Sequence, residues 1–256
     1  MNSNVLSSLL TTKLREDALT LRRLSKSGAA LSSAKEKMLQ DVHRIVTLML
    51  GPPPGPKDEI TWEYYDKDQK FFSVKTTPLK FAGTLSNKET VKANGGTDVH
   101  ELFSLVNDPR NSYGQQLSVS RLSNIVGMRP VRYVNVDMAT MKQACVAMLR
   151  ANIPIFFGSD VGKFSNSRSG IMDTSLIDYE LGFNIRLGLS KAQRLLTGES
   201  SMTHAMVLTA VHVINGKCIR WRVQNSWGEG AGSKGWFVMS DRWMDEFVYQ
   251  VVVDPR

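Results

Sequence analysis

The stretch from residue 204 onward constrains the fold most. It holds four apolar runs, at 204–213, 218–225, 235–239 and 247–253, each of strand length and bounded by turn residues. Asn215 and Gly216 lie between the first two runs, and both tolerate the positive φ that a tight hairpin turn demands. A two-residue turn there pairs Ile214 with Lys217, and counting outward sets His204 opposite Trp227. Asn225 then lies two residues back on the same face, at the diagonal distance a long side chain can reach. By the same alternation Cys218, seven residues before Asn225, falls on the opposite face.

The segments before this sheet are helical or mixed. Leu6, Leu10, Leu14, Ala18 and Leu21 recur at helical spacing, and Ser33 with Glu36 has the spacing of a capping box before Met38, Val42, Ile45 and Met49. "GPPPGP" at 51–56 stops the second helix, because proline cannot continue one and Gly51 can take positive φ. This predicts a helical segment over 1–56 and a second part over 57–256. Short strands are expected around "TWEYYDKD", a loop over 92–99, a short helix in "LSVSRLSNIVG" and a strand at "VRYVNV". A helix over 138–150 carries Met141, Cys145 and Met148 on one stripe, which makes Cys145 a core residue. "IPIFFG" reads as a strand, "SDVGKFSNSRSG" as a loop, and Ser190 with Gln193 as a capping box on another helix. Helices first and antiparallel strands last indicate the α+β class.

The composition, 42% hydrophobic over 256 residues, suffices for one large domain or two small ones. The net charge of +8 would attract polyanions, yet its densest cluster, Lys13, Arg15, Arg22, Arg23 and Lys26, is interrupted by Glu16 and Asp17 and reads as a solvated helix face. Two cysteines, at 145 and 218, form no CxxC, so neither a disulfide framework nor a metal site is expected, and no cofactor is implied. That usage suits a reducing compartment, the cytoplasm first and the mitochondrion as the alternative. The opening residues carry Ser, Thr and Arg as a presequence does, but the acidic pair favours an internal amphipathic helix. No run approaches the length of a membrane span. "GSDVGKF" is one residue short of a phosphate loop and has Phe164 where the magnesium-binding hydroxyl belongs. His43, His100 and His212 have no second ligand at useful spacing and read as incidental.

His204 and Asn225 are different. A histidine that moves protons needs its ring held in one tautomer, and an amide oxygen does this without adding charge. Thr203-His204-Ala205, then Asn225-Ser226-Trp227-Gly228 and "KGWFVMS", resemble the His and Asn segments of papain-like cysteine peptidases. The order of "TWEYYDKD", "LVNDPR", "LSNIVG", "GSDVGK", "TGESSMTHAM", "WRVQNSWGE" and "FVYQVVVD" narrows the resemblance to the C-terminal half of the bleomycin hydrolase family. It implies a papain-like fold with an antiparallel sheet or half-barrel carrying the site. His204 would be the base and acid, Asn225 its orienter, Trp227 a shield, and Thr203 a residue at the cleft edge.

The family's nucleophilic cysteine sits in a Gly/Cys/Trp segment preceded by an oxyanion-hole Gln, and neither segment is found in these 256 residues. Cys145 and Cys218 are not expected to replace it, so the chain alone is expected to be close to inert. Its C-terminus, "VVVDPR", lacks the arm that restricts this family to substrate amino termini. The resemblance implies peptide or amide substrates and either a homo-oligomer, hexameric in the family, or pairing with an N-terminal half. The alternative is a non-catalytic pseudopeptidase subunit that binds protein or nucleic acid. With half a core, it should also expose apolar surface and associate.

Overall fold

The computed structural model describes residues 3–66, 68–120, 122, 127 and 130–256. Its chain divides into two compact units, Met1–Thr84 and Leu85–Arg256.

In the first unit, α1 (Ser3–Lys26) and α2 (Leu31–Leu50) pair as their apolar stripes require, with Leu14, Ala18 and Leu21 facing Met38 and Val42. Lys13 clamps the pair, its ammonium lying 2.9 Å from Asp17 on its own helix and 3.2 Å from Asp41 on the other. The Ser33/Glu36 capping box does not form: α2 starts at Leu31, its N-cap is Ala30, and no side chain caps it. The tight turn at Gly28 (φ +69°) closes α1 two residues before α2 begins, leaving Ser33 inside the second helix. Gly51 takes the positive φ expected at the end of α2, +85°, but with ψ 160° it is not in the left-handed helical conformation. The aromatic segment forms the hairpin of β1 (Ile60–Tyr65) and β2 (Phe71–Thr76), with Tyr64 stacked on its partner Phe72 at 5.3 Å, and α3 (Pro78–Thr84) follows.

The second unit opens with α4 (Lys88–Ala93), capped by Asn87, and then builds a sheet. Its strands are β3 (Phe103–Val106), β4 (Gln116–Leu117), β5 (Tyr133–Asn135), β6 (Ile155–Ser159), β7 (Ser165–Asn166), β8 (Ile171–Met172), β9 (His204–Ile214), β10 (Lys217–Gln224), β11 (Trp236–Ser240) and β12 (Val248–Val253). They are ordered β4-β5-β3-β12-β6-β9-β10-β11-β8-β7. All neighbours are antiparallel except β3 with β5 and β11 with β8. Of the helix expected in "LSVSRLSNIVG", residues 121 and 123–126 lie outside the described residues, Leu117 belongs to β4, and 118–120 and 122 are not helical.

Between strands run α5 (Met138–Arg150), α6 (Tyr179–Phe183), α7 (Lys191–Thr197) and α8 (Asp241–Phe247). The Ser190/Gln193 capping box forms on α7 in both directions. Helices α5 and α8 supply the core, burying Met141, Cys145 and Met148 and Trp243, Met244 and Phe247 with Phe157, Leu208, Trp221 and Met239 of the sheet. Each such side chain removed from water contributes about 1.5–3 kcal/mol before entropy is counted. No helix among the described residues is long and apolar enough to cross a membrane.

Register explains what the sheet presents. Asn215 (φ +49°) and Gly216 (φ +77°) make the expected turn, and Ile214 pairs with Lys217. Two irregularities follow: Ile219 is extra on β10, and Thr209 is extra on β9. The first moves the register by one residue and the second restores it, so Val223 pairs with Leu208 and Gln224 with Val207 as uninterrupted counting predicts. Asn225 therefore does share a face with His204. Cys218, however, lies beyond the Ile219 bulge, so the alternation that put it on the opposite face fails. It packs against the core on the side of Trp221 and Val223.

Candidate active site

His204 opens β9 and pairs with Ser159 at the end of β6, while the preceding Thr203 N–H donates to Ser159 O at 2.9 Å. Asn225 follows β10 and is held by its own N–H, which donates to Gly235 O at 3.0 Å. His204 Nε2 lies 2.8 Å from Asn225 Oδ1, and the Ser226 N–H donates to that same oxygen at 2.8 Å. Because the Ser226 N–H can only donate, the amide is oriented with its oxygen toward that donor and the ring. Nε2 must then carry the hydrogen, leaving Nδ1 with a free lone pair for proton transfer.

Trp227 lies over the imidazole, ring centres 4.8 Å apart and planes 30° apart, and its edge meets Phe237 at 6.0 Å. Asn225 is 8% exposed and Trp227 44%, so the indole takes the solvent side of the hydrogen bond. Gly228 (φ +80°) lets the chain turn away at once. Thr203 is exposed beside the ring, its hydroxyl turned back toward Ser159 O and Asp160. All four residues singled out in the sequence are thus brought together. His212 is not among them: its Nδ1 accepts from Arg220 Nε at 3.1 Å at the other end of β9.

The thiols lie elsewhere. Cys145 is fully buried on α5, and burial, with a smaller contribution from Cys218, pushes its thiol up to about 12. Cys218 is also raised, by burial first and then by the charge of Asp241. It pairs with Val213, and at about 3.3 Å of rise per strand residue that end of β9 is roughly 30 Å from His204.

Asp160, Ser200 and Tyr249, none of which the sequence marks as a site residue, meet just behind Thr203. Ser200 Oγ donates to Asp160 Oδ2 at 2.7 Å and lies 2.6 Å from the Tyr249 hydroxyl. The Ser201 N–H reaches the same carboxylate oxygen at 3.3 Å. Their only sequence signal is proximity: Asp160 follows the strand that pairs with His204, and Ser200 precedes that histidine in the chain.

The Peptidase C1-like family profile matches residues 1–256. This chain belongs to the Peptidase C1-like family. It is 40% identical over 255 residues to Cysteine proteinase 1, mitochondrial, of Saccharomyces cerevisiae, covering 96% of this chain and 50% of that protein. Bleomycin hydrolase of Rattus norvegicus is 40% identical over 258 residues, covering 97% and 55%, and aminopeptidase C of Listeria innocua 38% over 254 residues, covering 98% and 55%. The crystal structure of PepW from Lactobacillus rhamnosis superposes with a TM-score of 0.87 at 41% identity, covering 99% of this chain and 55% of that one. The chain spans about half the length of the curated relatives it matches. The papain-like α+β fold is therefore that of the family.

Proposed function

We propose that this chain carries the acid–base half of a bleomycin-hydrolase-like cysteine peptidase site acting on peptide or amide bonds. His204 is the base and acid, Asn225 orients it, Trp227 shields their hydrogen bond, and Thr203 borders the cleft. The observation that carries this is the 2.8 Å contact between His204 Nε2 and Asn225 Oδ1, which leaves Nδ1 as the proton-transferring atom.

The nucleophile is neither Cys145 nor Cys218, since burial raises both thiols and Cys218 lies a strand's length away. It comes from residues other than these 256, and the chain alone is inert. With a thiolate supplied at Nδ1, its sulfur attacks the substrate carbonyl, and the Nδ1–H proton passes to the leaving amine as the C–N bond breaks. Nδ1 then takes a proton from water, whose oxygen attacks the thioester and releases the acid, returning the thiol. Amino-terminal specificity, which in the family depends on an arm not found in these 256 residues, is supported by the name of the relative aminopeptidase C. A homo-oligomer in the cytoplasm is the proposed setting, the mitochondrion being the alternative because one relative's name carries that address.

The remoteness of both thiols also favours a second reading, a pseudopeptidase subunit that binds protein or, through its net positive charge, nucleic acid. One experiment separates the two. Co-expression with the cysteine-bearing segment of a homologous peptidase should restore iodoacetamide-sensitive hydrolysis of aminoacyl-coumarin amides, and His204→Ala should remove it by about 10⁴-fold or more. No restored hydrolysis, or hydrolysis indifferent to His204→Ala, would leave the pseudopeptidase reading.

A further inference from the structure

The loop between α7 and β9 is six residues long, Gly198 to Thr203, and delivers the chain directly into His204. Its two ends are pinned by backbone bonds, Ser200 N–H to Arg194 O at 3.1 Å and Thr203 N–H to Ser159 O at 2.9 Å. Three residues of this segment also converge on one carboxylate. Asp160, 5% exposed, accepts from Ser200 Oγ and the Ser201 N–H on one oxygen and from Thr203 Oγ1, at 3.4 Å, on the other. The Ser200 proton is committed to Asp160, so the hydrogen between Ser200 and Tyr249 comes from the phenol. Tyr249 on β12, Ser200 in the loop and Asp160 after β6 therefore form one directed chain. Asp160 is itself anchored by its N–H, which donates to Phe247 O at 3.0 Å.

Burying a carboxylate is costly, and neutral hydroxyl and amide donors offset that cost only when their geometry is fixed. An apolar residue would fill the same space without it. What the carboxylate adds is a demand for a single arrangement of the donors around it, and these donors are the residues immediately preceding His204.

We propose that Asp160 is a positioning residue for His204, its carboxylate fixing the Ser200–Thr203 segment so that the imidazole enters β9 aimed at Asn225. The role rests on the reading of His204 as the proton-transferring group, but the test needs no peptidase activity. In the 256-residue chain labelled with ¹⁵N-histidine, the two His204 nitrogens should resonate far apart, as a single Nε2–H tautomer requires. Asp160→Ala should draw the two signals together and speed amide exchange at Ser201 and Thr203 by about tenfold or more, because a local opening replaces a locked loop. Amides of α5 should be unchanged. Asp160→Asn, which keeps one acceptor oxygen, should fall between.

A folded Asp160→Ala chain with unchanged His204 nitrogens overturns the proposal and assigns Asp160 to the fold alone. Should neither Asp160 variant fold, the double variant Ser200→Ala with Thr203→Val strips the hydroxyl donors and leaves the carboxylate in place. Converging nitrogens there support the proposal, and unchanged ones overturn it. Failure of the reconstituted hydrolysis with these tautomer effects intact would count against the proposed peptidase function only.

Discussion

Asn225 decides which nitrogen of His204 carries the hydrogen and which keeps a lone pair, and it does so with a neutral group. Oδ1 takes hydrogens from His204 Nε2 and Ser226 N, so the amide cannot turn without facing one donor with another. In the reconstituted peptidase, Asn225→Ala should lower kcat on the order of 10²-fold with KM nearly unchanged, since the ring loses aim and not its chemistry. Steady-state kinetics check this, and a KM effect alone would mean that Asn225 binds substrate instead. The thiols give a second residue-scale prediction. With its thiol pushed up to about 12, native Cys145 should resist iodoacetamide at neutral pH and react only after unfolding. Mass spectrometry of the alkylated chain reads this directly, and rapid native modification of Cys145 would reopen its candidacy as nucleophile.

The His/Asn pairing was legible because it depends on elements with a fixed period. An Asn-Gly turn and two apolar runs set the parity, and the bulges at Ile219 and Thr209 cancel before the ladder reaches Val207 and Gln224. Counting back along β10 from Asn225 crosses the Ile219 bulge, so simple alternation assigns Cys218 the wrong face: a bulge leaves no mark in the sequence of the strand that carries it. Helix α8 was overlooked because "DRWMDEF" is short and lies between two strands, although Ser240 caps it with a hydrogen bond from Trp243 N. Asp160 was invisible as anything but a loop residue, since its partners come from Ser200, Ser201 and Thr203, far along the chain. Caps show the same contrast between pattern and context. Ser190→Ala should destabilise the chain by about 1 kcal/mol, while Ser33→Ala, at a matching spacing but inside α2, should cost close to nothing. Urea unfolding of the two variants measures both, and equal losses would refute the assignment of the α2 start to Leu31.

At the scale of the molecule, Lys191 ties three elements together and makes stability depend on pH. It is the first residue of α7, and its ammonium nitrogen donates to Val248 O at 2.6 Å on β12, with Met138 Sδ of α5 at 3.5 Å and the Tyr249 ring centre at 4.9 Å. Burial lowers it to about 7, against the partial support of Glu246 and Asp245 on α8, while Arg194 and Lys142 lower it further. The unfolded amine keeps its ordinary value of 10.5, so above about 7 the unfolded chain holds a proton that the folded chain has lost. Folding then releases a proton, and stability rises with pH across that window, by up to about 1.4 kcal/mol per pH unit. Below about 7 both states are charged and the full desolvation cost is present. Between about pH 6 and pH 8 the wild type should therefore gain on the order of 1.4 kcal/mol relative to Lys191→Met, whose apolar side chain has no proton to release. Cys145 does not confound the comparison, because its thiol ordinarily ionises at 9.0 and is raised on folding, leaving it mainly protonated in both states over that range. Chemical denaturation of both chains at matched pH gives the difference directly, and parallel curves would show that Lys191 stays charged in the folded protein.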